Sequence, residues 1–429
     1  MHENDSRFWH GINVVTDTAW GDSGKGKIVD AGAQEADMVV RYNGGANAGH
    51  TVVNNRGEFK FHLVPSGIFN PEAICIMTGG VVIDPIILSK EIVMLEQQHV
   101  PVTSENLLIA SNAHLVMPWH KLRDGYEELN RGEKQIGTTK QGIGPTYQDR
   151  VARKGLRMAD LLRDDFVDLF EHELSRQLSA HVVSLDGDKI LSELLAAREI
   201  ISPMITNVLP IIHQYVSHRK AILGEGAQGA LLDLDLGTYP FVTSSNPGLA
   251  GFLKTTAISH RRIDKVIGVT KAYTTRVGEG PLPTELDNEI GEFLRIKGNE
   301  FGATTGRPRR CGWLDLPAIK YGAMVGQVDA LTITKLDVLD ELSEVKVCIG
   351  YQIGSKQYSV LPDPEALVDA KPIYRLFRGW EENTSDVRIY DDLPTRAQNF
   401  IEEIEEWVKL PVEMVSVGPE REATIYNLI

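Results

Sequence analysis

The feature that most constrains this chain is a glycine-rich stretch with two lysines, Trp20-Gly21-Asp22-Ser23-Gly24-Lys25-Gly26-Lys27. It follows an apolar run, Ile12 to Val15, that predicts a buried strand, and it precedes Ile28-Val29-Asp30-Ala31, which predicts the start of a helix. A turn between a strand and a helix N-terminus can hold phosphate on backbone N–H groups and on the positive end of the helix dipole. The stretch therefore predicts a phosphate-binding loop, with a tight glycine turn that binds nothing as the alternative.

The loop lacks one part of the usual phosphate-binding motif. Gly21 and Gly26-Lys27 have the spacing of the first half of a Walker-type loop, but Ile28 stands where that motif needs Ser or Thr to hold Mg²⁺. Another residue must therefore carry the metal. Asp22, inside the loop, is the nearest hard oxygen ligand.

Composition limits the partners of the chain. Its 429 residues carry a formal net charge of −15, which argues against a nucleic-acid or anionic-membrane surface, so an anion must be bound by cations gathered locally. Cys75, Cys311 and Cys348 are odd in number and widely separated; they fit a reducing compartment and predict neither a disulfide framework nor a metal site. Residues 1–10 lack an apolar targeting core, and no apolar run approaches ~18 residues. We therefore expect a soluble cytoplasmic protein without nucleic-acid or membrane partners.

Three further stretches have the composition of ligand-binding loops. Residues 43–51 are rich in glycine and include His50, which could exchange a proton, although a glycine-rich connection with a solvated histidine is the alternative. Residues 136–145 are dense in hydroxyls and glycines, so we expect an irregular loop that wraps a phosphate or carboxylate. Residues 302–310 combine two threonines with three arginines, whose planar guanidinium groups suit bidentate capture of such anions.

Predicted strands alternate with spans of helical periodicity. This alternation favours an α/β fold in which helices flank a central, mostly parallel β-sheet and ligand loops follow the carboxyl ends of the strands. Because there is no low-complexity linker and no internal repeat, we expect residues 1–429 to form a single large domain. The predicted strands are 12–15, 36–42, 59–63, 74–77, 221–224, 266–270 and 330–334, and the helical spans are 85–98 and 158–217.

At this point the motifs identify a family. The sequence resembles the adenylosuccinate synthetases, purine-pathway enzymes that join aspartate to inosine monophosphate (IMP) using GTP, from Val14 to about Ile425. Each motif is weak alone, but all of them in the family's order are very specific. The motifs are Trp20-Gly21-Asp22, Asn47-Ala48-Gly49-His50-Thr51, Gly142-Ile143-Gly144-Pro145, Gly226-Ala227-Gln228-Gly229, Thr243-Ser244-Ser245-Asn246, Ala272-Tyr273-Thr274-Thr275-Arg276-Val277-Gly278, Ala303-Thr304-Thr305-Gly306-Arg307 and Thr334-Lys335-Leu336-Asp337-Val338-Leu339-Asp340.

The resemblance implies a two-step reaction with a P-loop-like GTP-binding loop. The γ-phosphoryl of GTP moves onto O6 of IMP, and the aspartate amine then expels phosphate to give adenylosuccinate. The first step needs a base on N1, a hydrogen-bond donor near the phosphoryl group, and Mg²⁺. By resemblance Asp22 is the base and a Mg²⁺ ligand, Gly49 supplies a second metal ligand through its carbonyl, His50 is the acid, and Lys25 stabilises the transferring phosphoryl.

The resemblance also assigns the substrate contacts. Asp337 is expected to accept from N1–H and the 2-amino group of guanine, and Arg153 is expected to act from a neighbouring subunit of a homodimer. The GTP contacts are Ser23, Gly24, Gly26, Lys27, Thr51, Arg309, Lys335, Asp337, Ser416 and Gly418; the IMP contacts are Asn47, Thr138, Thr139, Arg153, Gln228 and Thr243, with Gln228 also catalytic; and the aspartate contacts are Thr304, Thr305 and Arg307.

Three residues depart from the family's usual pattern. Ser23 replaces a Glu beside the expected base, Gln141 replaces an Arg, and Pro308 interrupts an arginine run. A smaller, neutral residue at position 23 could admit a purine 2-amino group, as in phage relatives that attach aspartate to deoxyguanylate. Beside the IMP reaction, the alternatives are therefore a variant that accepts GMP or dGMP and a non-catalytic GTP-binding paralogue. A simple GTPase switch is less favoured, because it would leave two anion sites without a purpose.

Overall fold

Strands and helices alternate along most of the computed structural model, which describes residues 8–180, 185–302 and 306–427. The strands are β1 (Ile12–Asp17), β2 (Met38–Arg41), β3 (His50–Asn54), β4 (Gly57–Phe61), β5 (Ile74–Met77), β6 (Val82–Ile83), β7 (Leu107–Ala110), β8 (His114–Leu115), β9 (Ile205–Thr206), β10 (Ile222–Glu225), β11 (Lys265–Lys271), β12 (Thr274–Arg276), β13 (Arg310–Gly312), β14 (Leu314–Asp315), β15 (Ala330–Thr334), β16 (Glu344–Ile353), β17 (Lys356–Tyr358), β18 (Lys371–Arg378), β19 (Val412–Ser416) and β20 (Thr424–Tyr426). The helices are α1 (Lys25–Ala33), α2 (Pro85–Gln97), α3 (Pro118–Asn130), α4 (Ile143–Val151), α5 (Met158–Leu161), α6 (Phe166–Ala180), α7 (Gly187–Ile201), α8 (Val208–Ser217), α9 (Leu249–Thr256), α10 (Glu289–Lys297), α11 (Leu316–Gly326), α12 (Pro364–Leu367) and α13 (Thr395–Val408).

The centre of the fold is a ten-stranded sheet in the order β20-β19-β15-β11-β1-β10-β2-β5-β7-β9. Neighbouring strands are parallel throughout, except that β20 runs antiparallel to β19 at one edge. This confirms the α/β class with a mostly parallel central sheet. The interpretation of residues 1–429 as one domain stays a prediction.

Helices cover both faces of the sheet. Every residue of β1 is buried, although side chains alternate between the two faces of a strand. On neighbouring β10, the side chain of Leu223 contacts α1 near Gly32, whereas the next position, Gly224, faces the ring of Phe252 on α9. Successive positions of one strand thus pack against different helices, as a two-sided cover requires.

Some local predictions differ from the structure. Residues 143–145 were expected in an irregular loop but form the first turn of α4, because Gly142 adopts the left-handed conformation (φ 73°) that lets a helix begin at Ile143. The span 158–217 is mostly helical as predicted, but it is divided into α5 to α8, and residues 181–184 within it lie outside the described part. The prediction is wrong at β9 (Ile205–Thr206), where the chain pairs with β7 at the edge of the central sheet. A smaller sheet of β14, β16, β17 and β18 had no prediction. Among the helices of the described residues, none has the length and apolar character that crossing a bilayer requires.

Parallel strands bring the predicted ligand segments to one edge of the sheet. Because β1, β2, β10, β11, β15 and β19 run in the same direction, the segments that follow their carboxyl ends lie side by side. These segments begin at Thr18, Tyr42, Gly226, Ala272, Lys335 and Val417.

A buried glutamate of α2 fixes a backbone segment that contacts one of these ligand segments. Glu91 accepts hydrogen bonds from three consecutive backbone N–H groups, those of His62 (2.6 Å), Leu63 (3.0 Å) and Val64 (2.9 Å). The imidazole Nδ1 of His62 lies 2.8 Å from the carbonyl oxygen of Ala48, in the loop that precedes His50. The carboxylate therefore helps to fix the segment on which that loop rests.

Replacing this carboxylate should cost stability in a graded way. Glu91→Ala leaves three buried amides without their acceptor, so we expect the free energy of unfolding in urea to fall by about 2–4 kcal/mol. Glu91→Gln keeps one oxygen, which can still serve Leu63 and Val64, and should lose less. Equal losses in the two variants would contradict this account.

Candidate active site

The glycine-rich loop is built around a carboxylate that lies outside the sequence motifs. Asp17, the last residue of β1, is fully buried. Its Oδ1 accepts from the N–H groups of Ala19 (2.9 Å) and Gly21 (3.2 Å), and its Oδ2 accepts from the N–H of Ser23 (3.2 Å) and from Lys25 Nζ (3.0 Å). The side chain therefore determines the path of the turn and the direction of Lys25.

The path of this turn presents Asp22 to solvent. Asp22 has φ 57°, a left-handed conformation that non-glycine residues rarely adopt, and its side chain keeps 30% of its accessible surface. Gly24, in the same region at φ 90°, precedes the first turn of α1. Backbone strain of this kind is common where a structure holds a reactive group in place.

His50 lies directly over the first turn of α1. A Cβ added at Gly26 would lie 2.8 Å from Cβ of His50, so only glycine allows this approach. His50 Nδ1 is 2.5 Å from Glu225 Oε1, and Glu225 also accepts from the N–H (2.9 Å) and the hydroxyl (2.8 Å) of Ser66. The imidazole is thus held in one orientation above the phosphate loop.

Burial and charge determine the protonation states of this pair. Burial lowers the pKa of His50, against the opposing effect of the Glu225 carboxylate. Burial by itself would raise the pKa of Glu225, but the hydrogen bond and charge of His50, with the nearby Arg41 guanidinium, hold it below the ordinary value. We conclude that Glu225 is ionised and accepts a hydrogen bond from Nδ1–H of His50, which leaves Nε2 to exchange a proton with a ligand.

A second buried carboxylate supports Arg309. Glu300 is fully buried and accepts hydrogen bonds from Arg309 (2.6 Å), Lys271 (2.8 Å) and the hydroxyl of Tyr273 (2.6 Å). Although burial opposes it, the charges of Lys271, Lys335 and Arg309 lower the pKa of Glu300 to about 2. Arg309 also extends towards the loop, where its Nε is 3.5 Å from Asp22 Oδ2.

Two side-chain amides have polar atoms without partners among the described residues. A third amide, Asn43, has its partners and fixes the turn after β10. Its Oδ1 accepts from the N–H of Ala227 (2.8 Å), and its Nδ2 donates to the carbonyl of Ala227 (3.0 Å). The side chain of Gln228, at φ 62°, projects from this turn, and its buried Nε2 has no hydrogen-bond partner, nor does buried Oδ1 of Asn47. Unsatisfied polar atoms of this kind at a cavity indicate ligand contacts.

These groups meet in one cavity of about 920 Å³. Most of the residues expected to bind or react line it, whichever substrate they were assigned to. They are Asp22, Gly24, Lys25, Gly26, Lys27, Asn47, Gly49, His50, Thr51, Thr138, Thr139, Gln228, Thr243, Arg309, Lys335, Asp337, Ser416 and Gly418.

The remaining predicted residues lie elsewhere. Ser23 is buried below the cavity, with its hydroxyl 3.4 Å from the carbonyl of Gly21. Arg153 is exposed and is not part of the cavity wall. Arg307 is exposed and donates to the carbonyl of Thr138 (3.2 Å), which joins the expected aspartate segment to the expected IMP segment. Thr304 and Thr305 lie outside the described residues.

Sequence reasoning missed the three supporting carboxylates. Asp17 and Glu225 each end an apolar strand just before a predicted ligand loop, and this position was a signal that could have marked them. Glu300 had no such mark. It follows α10 in a polar stretch, and its partners become visible only when the strands are assembled.

A preformed phosphate loop at a helix start, a histidine held by a carboxylate above it, and cations around one cavity define an α/β enzyme that uses a nucleoside triphosphate. The chain belongs to the adenylosuccinate synthetase family, because the model of that family matches residues 14–425. It is therefore a GTP-dependent ligase that joins L-aspartate to IMP.

Individual members of the family are similar to this chain over almost its whole length. Adenylosuccinate synthetase from Carboxydothermus hydrogenoformans is 47% identical over 422 residues, which cover 96% of this chain and 98% of that one. The enzyme from Halothermothrix orenii is 46% identical, with 97% and 98% covered. The structure of fully ligated adenylosuccinate synthetase from Plasmodium falciparum has a TM-score of 0.93 at 35% identity, with 97% and 100% covered.

A phage structure bears on the guanylate alternative. Cyanophage S-2L succinoaminodeoxyadenylate synthetase, bound to dGMP and dATP, matches with a TM-score of 0.62 but 18% identity, over 98% of this chain and 96% of that one. At this identity the likeness shows the fold alone. The preference for IMP over GMP or dGMP as the acceptor rests instead on the family match and on the relatives of 46% and 47% identity, which are adenylosuccinate synthetases.

The role of Asp17 can be tested kinetically. Asp17→Asn presents an amide NH₂ where Oδ2 now accepts from Ser23 and Lys25, so we expect kcat/KM for GTP to fall by about 10–100-fold, with a smaller change for IMP. Thr18→Val is the matched control, because the Thr18 hydroxyl has no partner among the described residues and its loss should change little. Unchanged GTP kinetics in Asp17→Asn would contradict the assigned role.

Proposed function

We propose that this cavity performs the ligation in two steps through 6-phosphoryl-IMP, with Asp22 as the base. The observation that carries the proposal is the position of Asp22: its carboxylate stands in a phosphate-binding turn and lines the same cavity as Lys25 and His50. In the first step O6 of IMP attacks the γ-phosphorus of GTP, the bond to the β-phosphate oxygen breaks, and Asp22 takes the N1 proton. In the second step the aspartate amine attacks C6 and phosphate leaves.

Lys25 and His50 serve the transferring phosphoryl group in this proposal. Lys25 is anchored at Asp17, so its ammonium group has a fixed direction when phosphate arrives. Phosphate anions near Nε2 of His50 favour the imidazolium form, and Glu225 stabilises the charge at the other ring nitrogen. His50 can then donate to a phosphate oxygen as negative charge develops there.

The donors present fit Mg²⁺ bound together with GTP. Among the described residues no group of three or more His, Cys, Asp or Glu side chains could hold a metal by itself. Mg²⁺ commonly binds through one or two protein oxygens plus substrate phosphates, and Asp22 with the carbonyl of Gly49 would supply the protein part. When bound, the ion would neutralise negative charge on the phosphates.

The substrates then divide the cavity among three regions. We propose that Gly24, Gly26, Thr51 and Arg309 contact the GTP phosphates, and that Lys335, Asp337, Ser416 and Gly418 surround its guanine. Asn47, Thr138, Thr139, Gln228 and Thr243 hold IMP, with the unpartnered amide atoms of Asn47 and Gln228 available for hydrogen bonds. Arg307 receives aspartate with Thr304 and Thr305, the carboxylate pairing with its guanidinium group.

We further propose a homodimer in which Arg153 completes the IMP site of the partner. Arg153 is exposed just after α4 and is absent from the cavity wall of its own chain, as a residue that acts across an interface should be. α4 packs beside α3, and these helices expose Tyr126, Leu129 and Val151 at 66%, 66% and 80%. Apolar exposure of this extent is typical of a surface that a partner covers.

A cytoplasmic location belongs to the same proposal. Cys75, Cys311 and Cys348 are all unpaired and buried, which supports a reducing compartment. Fractionation of cells that produce the protein would test the assignment.

The reaction itself is tested by one assay. With Mg²⁺, GTP, IMP and aspartate, the purified protein should give the ultraviolet change of adenylosuccinate and release phosphate only when aspartate and IMP are both present. Asp22→Asn should lower kcat by about 10³-fold or more without loss of thermal stability. GTP hydrolysis without aspartate would favour a switch, and GTP binding without product would favour a non-catalytic paralogue. Greater turnover with GMP or dGMP than with IMP would overturn the assigned acceptor.

The shared site is tested by mixing variants. Arg153→Leu should raise KM for IMP by about tenfold or more, and Asp22→Asn should be inactive. Random reassociation of equal amounts makes half of the dimers hybrid, each with one intact site, so about a quarter of wild-type activity should return.

A matched mixture controls for other effects of mixing. Lys25→Gln and Asp22→Asn lie in the same loop of one subunit, so their hybrid dimers contain no intact site and should stay inactive. Recovery in neither mixture, with hybrid dimers demonstrated by native mass spectrometry, would contradict the action of Arg153 across the interface.

A further inference from the structure

The ammonium group of Lys27 has three hydrogens, and all three are donated to one segment near the end of the chain. Nζ lies 2.6 Å from Ser416 Oγ, 2.7 Å from the carbonyl oxygen of Gly418 and 2.9 Å from that of Ala423. The side chain is buried, with 6% of its surface exposed. These acceptors are neutral oxygens, so Lys27 organises a piece of backbone here and forms no direct ion pair with them.

The segment that Lys27 holds is the connection between β19 and β20. It is closed at its base by the N–H of Val417, which donates to the carbonyl of Ala423 (3.0 Å). Ser416, Gly418, Pro419 and Glu420 of this connection line the cavity, as do Lys335 and Asp337. Carbonyl oxygens of Gly418 and Ala423 converge on one point, which is where the ammonium group sits. Without a cation there, two convergent carbonyl dipoles would repel each other.

Lys25, by contrast, is free to serve phosphate. Its ammonium group donates to Asp17 Oδ2 at 3.0 Å, and no further hydrogen bond of it is found in the described part of the chain. Lys27 would have to give up three short hydrogen bonds to reach a phosphate oxygen. Burial lowers the pKa of Lys27 to about 7, although the carboxylates of Asp337 and Glu420 oppose the shift.

We infer that Lys27 is a positioning residue for the guanine pocket, which fixes the 416–423 segment as one wall of that pocket, and that it is not a ligand of the GTP phosphates. The inference rests on the proposed function, in which Ser416, Gly418 and Asp337 surround guanine. It connects the second lysine of the phosphate loop to recognition of the base.

Guanosine separates this role from a phosphate contact, because it has the base and no phosphate. Displacement of a fluorescent GDP analogue gives dissociation constants for guanosine, GDP and GTP without any need for turnover. In Lys27→Met, which keeps the length of the chain without its donors, we expect all three constants to rise by the same factor, about tenfold. Lys25→Met is the matched control, and it should weaken GTP while leaving guanosine unchanged.

Lys27→Arg provides a second test that keeps the charge. Guanosine has no phosphate, so a change to a residue that contacts only the phosphates should leave guanosine binding unchanged. A residue that must fit between three convergent oxygens should not tolerate this change, and guanosine binding should weaken here too. If Lys27→Met does not fold, as judged by thermal unfolding, the arginine variant decides the matter.

The outcomes are distinct. Weaker GTP binding with unchanged guanosine binding in Lys27→Met, or wild-type guanosine binding in Lys27→Arg, would overturn the inference. If guanosine does not displace the GDP analogue from the wild-type protein, the proposed guanine pocket fails, and the inference fails with it. If guanosine binds the wild-type protein and its dissociation constant is unchanged in Lys27→Met, the role of Lys27 is rejected, but the proposed guanine pocket is not.

Discussion

The structure of this active site depends on a single buried carboxylate, that of Asp17. Three backbone N–H groups and one ammonium group converge on its two oxygens, and no water is needed to satisfy it. A buried charge is tolerated only when it is paired and hydrogen-bonded, so the loop can fold around Asp17 in few ways. The left-handed conformation of Asp22 follows from this path, since residues on both sides of it are fixed on the same carboxylate. The position of Asp22 is thus a consequence of how the turn satisfies its own backbone.

Two other side chains of the cavity are also held by a buried carboxylate. Asp17 supports Lys25, Glu225 supports His50, and Glu300 supports Arg309, and each of these carboxylates is fully buried. A chain of net charge −15 must bind several anions here, and unpaired cations would repel one another in the empty cavity. A carboxylate behind each functional group keeps it ionised or oriented before substrate arrives. Preorganised charges of this kind need little rearrangement during the reaction, which is where electrostatic catalysis gains most.

The sequence was sufficient to predict six strands of the central sheet, the ligand loops and the edge of the sheet at which they meet, but β7, β9, β19 and β20 of that sheet had no prediction. Strands such as β1, β5 and β15 were visible because a parallel strand buried on both faces is a short, continuous apolar run. What remained hidden was pairing between distant residues: His50 and Glu225 are 175 positions apart, and Lys27 and Ser416 are 389 apart. Local patterns carry no information on such contacts. The resemblance places Lys27 among the GTP contacts, whereas the direction of its side chain depends on a segment near the end of the chain that no local pattern indicates.

The position of Ser23 limits what this departure from the family's pattern can do. A residue smaller than the family's usual Glu at position 23 could admit a purine with a 2-amino group, but Ser23 is buried and does not line the cavity. Its N–H is bound by Asp17 and its carbonyl accepts from the hydroxyl of Thr334 (2.7 Å), so both ends of the residue are fixed. A substitution that faces the protein changes the charge near Asp22 but adds no space for an acceptor. Selection between purines must therefore come from residues that reach the cavity. In the proposed IMP site, these include Asn47 and Gln228, whose amide atoms have no partner among the described residues.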